Sequence, residues 1–476
     1  MGQGQSIPGH DCLLAAVGYN SNLVAFQGDA FFHFRAPPVY NLDHPVTPIA
    51  VTFPENSEQI ASIVQCAANN GYKVQPRSGG HSYGNYGLGG IDGEVVVDLK
   101  NLQDFSIDPI TQIATVGSGT LLGDLHSRLY NAGHRAVAHG ACLNVGTGGH
   151  FTIGGLGTMS RQWGMALDHI REAEVVLANG TIINAAPSQN ADVLFAIKGA
   201  AASFGIVTKF KLQTHPAPTQ AVQYSYTLNT GTTAERAQLF KDWQRFIFTK
   251  NLTRRVSSEL VVFESGILLS GTFFGSRDEW KTLEREMNFP AADKGSIIVL
   301  TDWLGMIASQ AEDLIFQVVG GIPCAFYAKS MSFTDTIPDG NIDSLFKYLD
   351  STTKGTPAWF IIFDLEAGAT NDVPMNATAY AHRETIMWMQ SYAVSLLGPV
   401  SQTTKGFLNE ISNVVSASRP GAFYGAYPGY VDPLLENAQQ AYWGSNLPRL
   451  QNIKVQIDPN DIFHNPQSVQ ILPDHL

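Results

Sequence analysis

Two glycine-rich segments each carry one side chain capable of covalent chemistry. Arg77-Ser78-Gly79-Gly80-His81-Ser82-Tyr83-Gly84 holds an imidazole. Gly140-Ala141-Cys142, followed by Gly146, Gly148, Gly149, His150, Gly154, Gly155 and Gly157, holds a thiol. Glycine lets backbone come close to a ligand and leaves its amides unscreened. Two such segments point to one large anionic ligand held from two sides, and a phosphate-bearing cofactor fits that better than a small metabolite. Cys142 sits in polar, glycine-rich company, whereas a core cysteine prefers apolar neighbours. A reactive or modified thiol and an inert one are equally open on composition.

Other chemistries fit the same residues less well. Gly80-His81-Ser82-Tyr83-Gly84 has the form of a hydrolase nucleophile elbow, which needs a helix packed behind the serine. The sequel Asn85-Tyr86-Gly87-Leu88-Gly89-Gly90 is a poor helix start. His134, His139 and His150 do not share a helical face and match no ligand motif, so no metal site is expected. Neither segment has the lysine-bearing phosphate cradle. Gly146-Thr147-Gly148 lacks the third glycine and the later acidic residue of a dinucleotide fingerprint.

The elements around these segments follow from periodicity. Ser57 to Cys66 reads as a helix capped by Asn56 or Ser57, with Ile60, Ile63, Val64 and Ala67 on one face. Strands are expected at Val74–Gln75, running into the first loop, and at Glu94–Leu99, Ile113–Val116 and Gly205–Phe210. A helix is expected near Leu121–Tyr130. Asn179-Gly180 between two apolar runs signals a hairpin. His215-Pro216-Ala217-Pro218 marks a boundary. Beyond it the texture changes to alternating strands, such as Val222–Leu228 and Leu260–Phe263, with a helix near Ala234–Phe248. Trp359–Leu365 reads as a central strand. A helix near Leu435–Trp443 precedes the segment Leu450–Gln456 and the closing Asp458–Phe463. The fold class is α+β: a cofactor domain made of residues 1–216 and 419–476, with a domain of antiparallel sheet and helices, 217–418, inserted between.

The 476 residues include 44% hydrophobic and only 15% charged side chains, with a net charge of −12. Such a chain can bury a large core. It has little attraction for nucleic acid or an anionic membrane. No run is apolar for long enough to span a bilayer. The first residues lack the basic and apolar regions of a secretory leader, which tilts the expectation towards an intracellular location. They match a loose myristoylation pattern at Gly2, for which a polar, frayed start is the plainer reading. Four cysteines do not make a disulfide scaffold.

Taken together, the two loops resemble those of the berberine bridge enzyme-like flavoproteins of the vanillyl-alcohol oxidase fold. The resemblance extends through Asn190–Phe195, Phe204–Val207 and Asp458–Phe463, essentially the whole chain. Within the family the chain is most similar to fungal carbohydrate oxidases. The resemblance implies FAD held covalently, with His81 on the flavin 8α-methyl and Cys142 on C6. Arg77, Ser78, Gly79, Gly80, Ser82, Val145, Gly146, Gly149, His150, Gly154, Gly205 and Val207 are the other implied cofactor contacts. Leu143 stands where the family often has proline.

The family match further implies that Tyr430 is the general base and Asp364 the carboxylate that orients it and relays its proton. Tyr83, Phe360, Ile362, Gln390 and Tyr427 fall at substrate positions. Val145 matches a position where a small valine accompanies reaction with O2. The implied activity is oxidation of the anomeric hydroxyl of a mono- or oligosaccharide to a lactone, with O2 reduced to H2O2, by a monomer. Two departures open an alternative. Ile362 replaces a glutamine and Phe360 a tryptophan of the sugar oxidases, and a site without a hydroxyl's partner binds that hydroxyl poorly. The alternative is an alcohol or natural-product oxidase, or a cyclase, of intracellular secondary metabolism. Similarly placed cysteines in secreted relatives also imply a Cys12–Cys66 disulfide, against two reduced thiols in a cytosolic protein.

Overall fold

The computed structural model describes residues 7–229, 231–287, 294–306, 323–395, 397–419 and 424–471. Its first part builds on two small sheets. β1 (Val24–Phe26), β2 (Ala50–Thr52), β3 (Val74–Arg77) and β4 (Val95–Asp98) form one, in the order β1-β2-β4-β3. Its strands are short, and the Val95–Val97 run of β4 is apolar because that strand is buried along its length. β4 lies parallel to β2 and β3. The next strands are β5 (Phe105–Ile107), β6 (Ile113–Gly117), β7 (Arg135–Ala136), β8 (Ile170–Val176), β9 (Ile182–Ala185) and β10 (Ile206–Gln213). All but β7 form an antiparallel sheet ordered β5-β6-β10-β8-β9.

The Ser57–Asn69 helix packs Ile60, Ile63 and Val64 into the core of the first sheet. Asn56 caps it by accepting from the Gln59 amide at 2.9 Å. The helix runs one turn beyond Cys66, which places Cys66 against the N-terminal helix His10–Ala16. There Cys12 and Cys66 form a disulfide with a Cα separation of 5.9 Å, within the range that a disulfide spans. Asn179-Gly180 does turn the chain between β8 and β9. The connection is longer than two residues, and of its pair only Gly180 has positive φ.

The second part is one large sheet. The Pro-rich stretch enters it through β11 (His215–Pro216), which pairs back with β7. The sheet comprises β12 (Ala221–Leu228), β13 (Glu259–Phe263), β14 (Gly266–Phe273), β15 (Lys294–Leu300), β16 (Ala325–Phe333), β17 (Trp359–Leu365) and β18 (Met387–Ser395). Its order is β15-β12-β14-β13-β17-β18-β16, every pairing antiparallel. β17 is interior, which accounts for its apolar run, broken only by Asp364. Phe240, Trp243, Phe346, Ile361 and Phe363 close one face of this sheet beneath its helices. The other face carries Ile362, Asp364 and Gln390, the alternation a strand imposes.

The chain's end returns to the first part. The Leu447–Ile457 helix packs with Phe195, Ala196 and Phe204, and the Val74 amide donates to the Ile462 carbonyl. We propose the division 1–216, 217–418 and 419–476 on this arrangement. The helix expected from Leu435 starts only at Ala438, because Asn437 takes a left-handed φ of 53°. Among the described residues no helix is long and apolar enough to cross a membrane.

One buried carboxyl bears on stability. Glu94 is 2% exposed, and neither of its oxygens has a hydrogen-bond partner. Burial raises its pKa from 4.5 to about 8; Asp461 adds to this and Lys73 opposes it. A carboxyl whose pKa rises on folding costs stability once pH passes its unfolded value, and the cost grows until the folded value is reached. Glu94→Gln should therefore leave urea stability unchanged near pH 4. It should raise it near pH 8 by a few kcal/mol at most, because a tenfold change in a proton affinity is worth ~1.4 kcal/mol. A variant no more stable than wild type at pH 8 would show that Glu94 ionises freely.

Candidate active site

β3 ends at Arg77, opposite Asp98 on β4, and the two side chains form an ion pair at 2.8 Å. Arg77 Nε has no partner. From there the first loop crosses the second at very short range. A Cβ on Gly79 would stand 2.3 Å from the Gly146 amide nitrogen, and one on Gly146 would stand 2.1 Å from the Gly79 nitrogen. Only glycine admits that crossing. Ser78 fastens it: its hydroxyl donates to the Ser118 carbonyl at 2.6 Å and accepts from the Gly148 amide at 3.3 Å. The second loop is not loop throughout, since Thr147–Ile153 is a short helix. His150 Nε2 accepts from the Gly140 amide at 2.9 Å, bracing the turn that carries Cys142. Ser82 is no nucleophile on an elbow. Its hydroxyl accepts from the Tyr86 amide at 3.1 Å, and a 3-10 turn, Tyr86–Leu88, follows.

A cavity of about 410 Å³ runs between these loops and the large sheet. His81 and Cys142 both line it. So do Arg77, Ser78, Gly79, Gly80, Ser82, Val145, Gly146, Gly149, His150, Gly205 and Val207. Gly154 does not. A Cβ there would meet the Tyr427 ring at 2.8 Å, so this glycine makes room for Tyr427 rather than for a ligand. His134 is also elsewhere, exposed against Tyr130. Burial holds His81 down at about 4, with Arg77 adding and the Asn144 backbone opposing. The imidazole is thus neutral at pH 7, with a free electron pair. Burial pushes the Cys142 thiol up to about 11. A cleft floored by glycine backbone, with an unpartnered Arg77 Nε beneath it and two potential nucleophiles on its walls, fits a phosphate-bearing flavin.

The sheet side supplies the rest. Tyr430 lies over Tyr83, ring centroids 6.0 Å apart, and meets Tyr427 edge-on at 4.9 Å. The Tyr427 hydroxyl is occupied, accepting from the Gly155 amide at 2.8 Å. Gln390 Nε2 donates to the Tyr83 hydroxyl at 3.0 Å. Tyr430 and Asp364 face the same cavity, with no direct hydrogen bond between them among the described residues. Burial, then the Asp364 charge, raise the Tyr430 pKa well above 10. Ile362 lines the cavity, whereas Phe360 does not: its ring stacks on Tyr392 at 5.0 Å. Its side chain points the same way as Ile362, but Tyr392 covers it. Residues that sequence reasoning missed are Tyr40, Glu259, Glu366, Trp443 and Gln467. Glu366 had one visible signal, a second carboxylate two residues after Asp364 at the end of an apolar strand.

Fold and cavity define an FAD-dependent oxidoreductase. The FAD binding domain family matches residues 48–186, and the berberine and berberine like family matches 426–470. The chain is 40% identical to the FAD-linked oxidoreductase sorD of Penicillium rubens, over 96% of this chain and 97% of that one. It is 32% identical to the xylooligosaccharide oxidase of Thermothelomyces thermophilus, over 90% and 88%. The solved glucooligosaccharide oxidase of Acremonium strictum superposes with a TM-score of 0.88 at 29% identity, over 98% and 99%; its FAD is 6-S-cysteinyl and 8α-N1-histidyl. The chain belongs to the berberine bridge enzyme-like FAD-linked oxidoreductases.

Proposed function

We propose that this protein is an oxidase of a CH–OH group, with FAD bonded to His81 and Cys142 and O2 reduced to H2O2. The observation that carries the reading is the placement of Tyr430 and Asp364 on the cavity that His81 and Cys142 share. When bound, the flavin supplies a two-electron acceptor that takes hydride from carbon and passes the electrons to O2. The chain supplies the rest. Arg77 and the crossed glycine loops hold the cofactor. Tyr83 and Gln390 shape the substrate side.

Tyr430 takes the proton of the substrate hydroxyl. Its burial and the Asp364 charge both disfavour a resting phenolate. It therefore gives up its own proton as it accepts one, and Asp364, on the same cavity but not directly hydrogen-bonded to it, is the carboxylate towards which that proton is relayed.

The oligosaccharide oxidases among the relatives support the anomeric hydroxyl of a mono- or oligosaccharide as the reacting group. A second reading, an alcohol or natural-product oxidase, is favoured by the substrate wall. Ile362 is there without a polar partner for a sugar hydroxyl, and the Gln390 amide is already bonded to Tyr83. One experiment decides between them: purified yellow protein screened for peroxide release against sugars and secondary-metabolite alcohols. Peroxide from neither class would overturn the oxidase reading.

Val145 bears on the O2 half-reaction. It lines the cavity, and its carbonyl is fixed by the Leu122 amide at 2.9 Å, so a larger side chain there cannot swing aside with the backbone. Val145→Ile should slow flavin reoxidation by O2 while leaving reduction by substrate near wild type. Stopped-flow traces with unchanged reoxidation would remove Val145 from the O2 path.

A further inference from the structure

Glu366 lines the same cavity as Asp364 and Tyr430, is 5% exposed, and has no hydrogen-bond partner at Oε2. Its backbone amide still follows β17, donating to the Ile386 carbonyl at 2.8 Å. Two residues apart on an extended chain, Asp364 and Glu366 lie on one face. Glu259 on β13 is the register partner of Asp364 and adds a third carboxylate. The cation that acts on Glu366 is Arg161. Its guanidinium bonds the backbone carbonyls of Leu252, Thr253, Val256 and Glu366, and none of these bonds reaches a carboxylate. Tyr380, Tyr427 and Tyr430 are the phenols near enough to feel the Glu366 charge. The Tyr380 hydroxyl is itself unpartnered and buried. Two carboxyls on one strand face, both turned into this cavity and without a bonded cation, do not both ionise readily. Burial first, and then Glu259 for Asp364 and Asp364 for Glu366, push both groups well up, with Arg161 opposing at Glu366.

We propose that Asp364 and Glu366 form a dyad holding one proton between them across neutral pH, with Glu366 as the positioning residue that tunes Asp364 as the final proton acceptor. This rests on the reading of Tyr430 above. The substrate hydroxyl loses its proton to Tyr430, the Tyr430 proton passes to Asp364, and the dyad goes from one proton to two. The hydride and that proton are the two hydrogens with which O2 leaves as H2O2, so the dyad returns to one proton each turnover.

Infrared difference spectroscopy of the holoenzyme tests this without substrate, so its outcome is separate from that of the peroxide screen. At neutral pH, wild type minus Glu366→Gln should show the C=O band of a protonated carboxylic acid, moving down in D2O. In Asp364→Asn holoenzyme the Glu366 band should titrate away about one pH unit or more lower, its charged neighbour being gone. No such band at neutral pH, or a titration that Asp364→Asn leaves in place, overturns the dyad. Should Glu366→Gln not fold, Glu94→Gln protein labelled with 13C-glutamate reports the same band and the same downward move in pH.

Discussion

Tyr430→Phe should keep its fold and its FAD but reduce its flavin about 10²–10⁴-fold more slowly than wild type, the usual worth of a general base. An alcohol carbon releases hydride readily only as its oxygen loses a proton, so the proton acceptor controls the step. Phenylalanine preserves the ring that lies over Tyr83 and meets Tyr427 edge-on, so packing is retained while the oxygen is lost. Anaerobic flavin reduction, followed by stopped flow with a substrate found in the peroxide screen, isolates this step. Asp364→Asn should show a smaller loss, because it disturbs orientation and relay and leaves the phenol in place. A Tyr430→Phe protein reducing its flavin at the wild-type rate would move the role elsewhere. Tyr83 and Tyr427 would then be tested next, each hydroxyl accepting one hydrogen bond in the structure.

The same pair shows what the sequence could and could not disclose. Elements with a clear apolar pattern were legible: the Ser57 helix, β6 and β12 are close to where periodicity puts them, and β17 to where its apolar run does. The two cofactor loops were legible because glycine clusters have few other uses. What stayed hidden were contacts that depend on chains far apart in sequence. Gly154 reads as one more cofactor glycine, yet its role is set by Tyr427, which no local pattern connects to it. Phe360 is at the right strand position for a substrate contact, but Tyr392 from the neighbouring strand covers it. The short helix within the second loop defies propensity, since it contains Gly148 and Gly149. Close packing over Ser118 and the Ser78 bridge hold it instead. Glu259 and Glu366 were visible as residues but not as a group. Only the β13–β17 register brings Glu259 beside Asp364.

The flavin itself should prove inseparable from the chain unless both anchors are removed. Acid precipitation of wild type should leave all yellow colour in the pellet. His81→Ala or Cys142→Ala alone should do the same, because each leaves the other anchor intact. The double variant should release its flavin to the supernatant. The two anchors are not equivalent. Burial keeps the His81 imidazole neutral, with its pKa at about 4, so its electron pair is available at pH 7. The same burial pushes the Cys142 thiol to about 11, so few molecules carry the thiolate, which is the nucleophilic form, until the site is filled. Reconstituted with FAD in vitro, His81→Ala protein should therefore acquire its covalent flavin more slowly than Cys142→Ala protein, and the gap should narrow as pH rises. The comparison is clean because Gly79 and Gly146 cross backbone to backbone, so neither alanine alters how the two loops meet. Colour lost from the wild-type pellet would refute both covalent bonds. Equal rates in the two single variants at every pH would refute the ordering while leaving the bonds in place.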